Sequence, residues 1–230
     1  LVLIIAIVFS RVELPEIKHE ETAEDRSSGT RIMKLFRHHP MFVFGLFALL
    51  AYEIAEISIN SYFINFVTGQ GWMDDNAASI ILTLALVFFM VGRFLGSWIM
   101  RRVPAEIMLL ICSSVSVLCI IFIFFDLCKF SLVAIVCNYL FEAIMFPTIF
   151  SLALNGLGNL KMSASSLLMM TPIGGCGFLL MGIVADNTNL VIPFIIPLFG
   201  YVIVLLFASE LTRKNGTMLR RNPIWNKFKS

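Results

Sequence analysis

Six long apolar runs decide what this chain can become. They cover residues 41–68, 76–100, 105–126, 131–156, 163–185 and 190–210, separated by short connections rich in turn residues. Each is long enough as a helix to cross the roughly 30 Å hydrocarbon core of a bilayer. In lipid, backbone N–H and C=O groups must be satisfied within the segment, so such runs fold as helices. The composition agrees: 59% of residues are hydrophobic, 14% are charged and the mean hydropathy is +0.90. A soluble domain carries roughly 25% charged residues. The expected fold class is therefore an all-α membrane protein, with the lipid bilayer as its first partner.

Outside these runs the chain is informative at both ends. LVLIIAIVF (1–9) is apolar but would rise only about 14 Å as a helix, and no basic stretch precedes it. It reads as the end of a transmembrane helix whose beginning is missing, which makes the chain a fragment. Residues 10–40 form a polar linker, acidic first and basic later, in which Thr30–Arg37 can form a short helix along the membrane surface. Residues 211–230 form a basic tail.

Basic residues orient the bundle. Six lie in the linker, two (Arg101, Arg102) follow the second run, Lys161 follows the fourth, and six lie in the tail. The opposite side carries only Lys129, beside Asp74, Asp75, Asp126 and Asp186. This positive-inside bias predicts that linker and tail are both cytoplasmic, as an even number of spans requires. With charges placed at span ends, the net charge of +2 gives no basis for a nucleic-acid partner. The five cysteines fall in or beside apolar runs without CxxC spacing and read as small hydrophobes. His19, His38 and His39 all lie outside the runs, so neither a buried Ser–His pair nor a histidine metal site is expected.

The chemistry resides in the charges that the runs do contain. In NYLFEAIMFPTIFSLALNGLG (138–158), Asn138 and Glu142 are four residues apart and share a helix face, which Met145 and Ile149 continue. Pro147 interrupts the backbone ladder one turn later. In the run 41–68, Glu53, Glu56 and Asn60 fall within about 60° of arc on one face. A charge at mid-bilayer costs on the order of 3 kcal/mol on insertion scales. Three carboxylates at one depth on two helices therefore imply a shared polar cavity, and a protonated carboxyl there is a prerequisite for proton coupling. The plainer alternative is a glutamic acid satisfied by a neighbouring helix. Arg93, in GRFLGSWIMRR, reads as a counter-charge to Glu56 or Glu142 or as a gate, and equally as an arginine capping helix ends at the cytoplasmic face. Gly174, Gly175, Gly177 and Gly182, with Pro172, mark a span that bends and packs closely. Trp72, Trp98 and several tyrosines lie near span ends, as interfacial aromatics do.

Four segments carry a resemblance: FEAIMFPTIFSLALNGLG (141–158), SASSLLMMTPIGGCGFLLMGIVAD (163–186), AEISINSYFINF (55–66) and MVGRFLGSWIMRR (90–102). Together they resemble the carboxy-terminal half of the fucose permease family, bacterial sugar–proton symporters within the major facilitator superfamily that include glucose/galactose transporters. The resemblance implies twelve helices in two six-helix halves, with sugar bound between them and alternating access driven by a proton gradient. This chain then supplies the end of the sixth helix, the linker and the second half. An amino-terminal six-helix half is its implied partner, and the bacterial cytoplasmic membrane its implied location. Glu56 matches the glutamate of the family's seventh-helix pattern Glu-Val-Ser-Ile-Gly-Ser; Asn60 replaces that pattern's glycine, and Glu53 is additional. Glu142 stands where the family has a small amide or Ser, and Gly177-Phe178 where it has a Pro. Met100 occupies the place of an acid in the superfamily's loop signature. These departures concern the substrate more than the fold.

The expected function is thus a secondary active transporter, taking up a monosaccharide with protons and needing no cofactor. Glu53, Glu56, Asn60, Asn138, Glu142 and Met145 are the candidate cavity residues and Arg93 the candidate gate or counter-charge. Tyr62, Tyr139 and Phe146 can cover the apolar face of a sugar. Two alternatives stay open: an efflux transporter for amphipathic drugs, whose pocket the many Phe and Met residues would line, and a non-transporting membrane sensor or scaffold. An enzyme is not expected, since no nucleophile–base pair is visible.

Overall fold

Pro40 opens the first long helix at the one position where its missing N–H costs nothing. The structure, a computed structural model, describes residue 33, residues 35–125 and residues 129–221, without the side chains of 129 and 215–221. The run at 1–9, most of the 10–40 linker, Asp126 and the end of the tail lie outside the described residues. Helix α1 is Pro40–Gly69, α2 Asp75–Ile99, α3 Ala105–Phe124 and α4 Lys129–Ala153. A fifth span follows in two pieces, α5 (Lys161–Leu168) and α6 (Phe178–Asn187), and α7 is Ile195–Arg221. Among the described residues six helical stretches are long and apolar enough to cross a membrane, and none is a strand.

Local chemistry sets the ends. Asp75 lies in the first turn of α2 and Glu106 in that of α3, where a carboxylate meets the positive end of the helix dipole. The turn after α4 runs through Gly156 at φ 79° and Gly158 at φ 50°, a left-handed backbone that suits glycine. Pro147 sits inside α4 without ending it. The neighbouring Thr148 hydroxyl donates to the Ile144 carbonyl at 2.6 Å.

The fifth span does not continue as one α-helix: Thr171–Gly177 is a 3₁₀ segment between α5 and α6. Its glycines explain why. A Cβ on Gly174 would come within 3.1 Å of the Leu50 carbonyl oxygen, and one on Gly177 within 2.7 Å of Ile54. Backbone lies directly on α1 here, as small residues permit in membranes.

The same device holds α2 to α4. Cβ atoms on Gly92 and Gly96 would strike the Leu140 carbonyl oxygen at 2.7 Å and Ile144 at 2.4 Å. Apart from these glycines and buried Ala78 and Ala85, much of α2 is exposed, with Phe88, Phe94 and Trp98 all uncovered. By contrast α1 packs on α7, α4 and the 3₁₀ segment, while α3 packs on α4 and α7. Tyr52, Phe63, Phe66, Tyr139, Tyr201 and Phe207 fill the shared core. The described cysteines (Cys112, Cys119, Cys137 and Cys176) are unbridged.

Candidate functional site

The i, i+4 pair on α4 does meet. The Asn138 side-chain amide donates from Nδ2 to Glu142 Oε2 at 3.3 Å. What the spacing could not reveal is the partner that closes the cluster. The Tyr201 hydroxyl on α7 donates to Glu142 Oε1 at 2.5 Å and accepts from Asn138 Nδ2 at 3.1 Å. Tyr52 on α1 donates to the Glu142 backbone carbonyl at 3.0 Å. Three helices are thus pinned at one level, and Glu142, Asn138, Tyr201 and Tyr52 are all fully buried.

Tyr52 also links this cluster to α1's own carboxylates. Its hydroxyl lies close enough to the Glu56 carboxylate to interact with it. Glu53 and Glu56 are within electrostatic reach of each other, of Glu142 and of Arg93. The three glutamates therefore form one neighbourhood, but their exposures differ. Glu142 is sealed, Glu53 nearly so, and Glu56 only half-buried.

Arg93 comes to this neighbourhood from α2 and is exposed. Among the described residues it makes no ion pair; its guanidinium stacks over Phe89, 4.7 Å from the ring centre. With Ser97, Met100, Ala143, Ile144, Phe146 and Pro147 it lines a hollow of about 300 Å³ between α2 and α4. A larger hollow of about 520 Å³, between α1, α6 and α7, has apolar walls such as Phe47, Ile54 and Phe199. It offers no side-chain hydrogen bond to a polar guest.

The remaining candidates are placed as follows. Asn60 is half-buried, and its Oδ1 is shielded from solvent without a hydrogen-bond partner. Met145 is wholly buried in the closed core and lines neither hollow. The hydroxyls of Tyr62 and Tyr139 are buried without partners, and Phe146 borders the Arg93 hollow. Among the described residues no group of three His, Cys, Asp or Glu side chains is arranged to hold a metal ion.

The sequence reading does not single out Tyr52 and Tyr201 as functional residues. The available signal was their depth: a tyrosine in the middle of an apolar run must find a partner for its hydroxyl. Proximity to Glu53 marked Tyr52, but nothing local paired Tyr201 with a residue 59 positions away.

Chemically, the arrangement brings carboxylates and an amide within electrostatic reach of an exposed guanidinium, next to aromatic rings. Such a set can hydrogen-bond hydroxyls and exchange protons. It contains no activated nucleophile.

Comparison with known proteins now adds the wider context. The family model described as Major Facilitator Superfamily matches residues 1–176. A glucose/galactose transporter of Brucella abortus is 29% identical over 214 residues, covering 89% of this chain and 50% of that protein. A putative glucose/galactose transporter of Helicobacter pylori is 31% identical, covering 90% and 51%. The L-fucose-proton symporter of Escherichia coli K12 is 28% identical over 218 residues, covering 90% and 48%. The crystal structure of the Major Facilitator Superfamily transporter FucP in the outward conformation superposes with a TM-score of 0.76 at 25% identity, over 90% of this chain and 51% of that one. This chain spans about half the length of the curated relatives it matches, and those relatives are transporters, not enzymes. Six apolar helices, the FucP-like superposition and the matched model together lead to one conclusion: the chain belongs to the Major Facilitator Superfamily.

Proposed function

We propose that this chain forms the carboxy-terminal six-helix half of a proton-coupled monosaccharide transporter, of the fucose, glucose or galactose class, that works by alternating access. Its counterpart is an amino-terminal six-helix half, and its setting is the bacterial cytoplasmic membrane, with the 10–40 linker and the tail on the cytoplasmic side. The driving force is the proton gradient and no cofactor takes part. The relatives named above support the substrate class.

The observation that carries this reading is Glu56, a half-buried carboxylate inside a membrane span, within electrostatic reach of Glu53 and of exposed Arg93 and, among the described residues, in no ion pair. Charges left half-buried and unpaired in a membrane are costly unless they serve a polar guest or an ion. Glu56 and Asn60 on α1 and Arg93 on α2 supply acceptors and donors for sugar hydroxyls. Phe146 supplies an apolar surface for the ring face. Glu53, nearly sealed, lies within electrostatic reach of Glu56. Glu142 and Asn138 form the wall rather than the binding surface, because both are sealed.

Uptake of labelled L-fucose, D-glucose and D-galactose by the complete transporter in proteoliposomes, under an imposed pH gradient, tests the proposal. One of these sugars is expected to accumulate and to carry protons with it, and Glu56→Gln is expected to cut the rate by about ten-fold or more. Proton flux evoked by lipophilic dyes and by none of the sugars would transfer the chain to drug efflux. Wild-type sugar uptake by Glu56→Gln would remove that residue from the cavity.

A further inference from the structure

The sealed cluster on α4 has a property that the sugar cavity does not need. We propose that Glu142, Tyr201 and Asn138 form a proton-holding site inside the carboxy-terminal half, in the seam between α4 and α7 and apart from the sugar-binding surface. The inference rests on the proton-coupled reading above and assigns one of its protons a place.

Geometry carries it in three steps. First, Glu142 is 0% exposed and lines neither hollow, so a sugar cannot touch it while a proton can. Second, its side-chain partners are neutral. Tyr201 donates to Oε1, Asn138 donates to Oε2, and among the described residues no cation pairs with the carboxylate. A buried carboxylate held only by neutral donors keeps an uncompensated charge, which one proton removes. Third, the cluster contains an acceptor with nothing to accept: Asn138 Oδ1 is buried and unpartnered. With a proton on Oε2, the carboxyl becomes a donor at that position. Half a turn of the amide puts Oδ1 where Nδ2 now stands, 3.3 Å from Oε2 and 3.1 Å from the Tyr201 hydroxyl. Oε2–H then donates to Oδ1 while Tyr201 keeps its single proton on Oε1, so the same three side chains hold the carboxylic acid and only the Asn138–Tyr201 hydrogen bond is given up. The step is a protonation alone: one carboxylate and one proton become one carboxylic acid, and no other bond forms or breaks.

The groups facing Glu142 supply a way in. From α1 come Tyr52, Glu56 and Glu53; from α4 Tyr139 and Asn138; from α7 Tyr201. Arg93 of α2 acts on the two α1 glutamates. Half-buried Glu56 meets the open face, and Tyr52 lies between it and Glu142. A proton that arrives at Glu56 therefore has a short path to the seam.

The test uses the complete transporter in proteoliposomes with the substrate sugar, comparing wild type with Glu142→Gln and Tyr201→Phe. Glu142→Gln is expected to keep gradient-free sugar exchange within about two-fold while uphill accumulation and sugar-evoked proton flux fall by about ten-fold or more. Infrared titration in the absence of sugar is expected to lose one carboxylic-acid C=O band in Glu142→Gln. In Tyr201→Phe that band should remain, with a shifted midpoint. Unchanged proton flux in Glu142→Gln, or a band unaltered in both variants, overturns the proposal. So does a parallel loss of sugar binding and exchange in Glu142→Gln, which would make Glu142 a sugar ligand. If Glu142→Gln does not fold, the Tyr201→Phe midpoint decides. A wild-type protein that moves no sugar would refute the monosaccharide reading, whereas the infrared band would still decide whether Glu142 holds the proton.

Discussion

Glu142 and Glu56 are the same side chain in one electrostatic neighbourhood, yet the fold treats them in opposite ways. Around Glu142, three helices supply Tyr201, Asn138 and Tyr52, each with a hydrogen bond to that residue, and solvent is excluded. Around Glu56 the burial is partial and, among the described residues, the nearby guanidinium of Arg93 has no ion pair. A carboxylate whose contacts are complete ties helices together. One whose contacts are incomplete is available to something that arrives later. In the proposed reading the seam serves stability and proton storage, and the open face serves recognition.

The contrast is most exposed to refutation at Glu142 itself. Glu142→Leu leaves the Tyr201 hydroxyl without its acceptor and the Asn138 amide with one of its two, and is expected to cost about 2–4 kcal/mol, read as a lowered melting temperature in detergent. A melting curve that does not move would mean the seam is held by packing alone. Next in size is the glycine contact that keeps α2 on α4. Gly96→Val puts a Cβ 2.4 Å from Ile144 and is expected to cost about 1–3 kcal/mol in the same assay. Gly182→Val, where a Cβ meets nothing within 4 Å, is the matched control. Tyr201→Phe removes one buried O–H donor while keeping the ring, and is expected to cost about 1 kcal/mol.

On the open face the order of effects reverses. Glu56→Gln is expected to change stability by less than about 1 kcal/mol while lowering sugar uptake, because the half-buried amide can still meet Tyr52 and solvent. A melting loss as large as that of Glu142→Leu would erase the distinction between the two regions. Smallest of all is the Arg213–Glu210 pair near the end of α7, spaced three residues apart with an exposed arginine. Glu210→Ala is expected to cost only about 0.3 kcal/mol and to vanish into the noise at high salt.

How far the site was legible varies residue by residue. The Asn138–Glu142 contact followed from a four-residue spacing, because a helix converts that spacing into adjacency. The cluster of Glu53, Glu56 and Glu142 followed from cost, because lipid forbids stranded charges. Tyr201 was not legible. Its partner lies on another helix, and no periodicity tells which faces of two apolar helices meet. Met145 shows the converse. It shares the sequence face of Asn138 and Glu142, but that face turned inward, so Met145 became core. Likewise Gly174 and Gly177 signalled a bend, while only the packing against Leu50 and Ile54 revealed what the bend is for.

The sequence alone determined that six apolar helices form and where charges sit along them, because hydrocarbon leaves the backbone few options and a 3.6-residue repeat does the rest. Tertiary structure decided which of the three glutamates is closed off and which stays open. Helix pairing in a membrane depends on close backbone approach and matched hydrogen bonds between distant segments, and those contacts exist only once the helices have met.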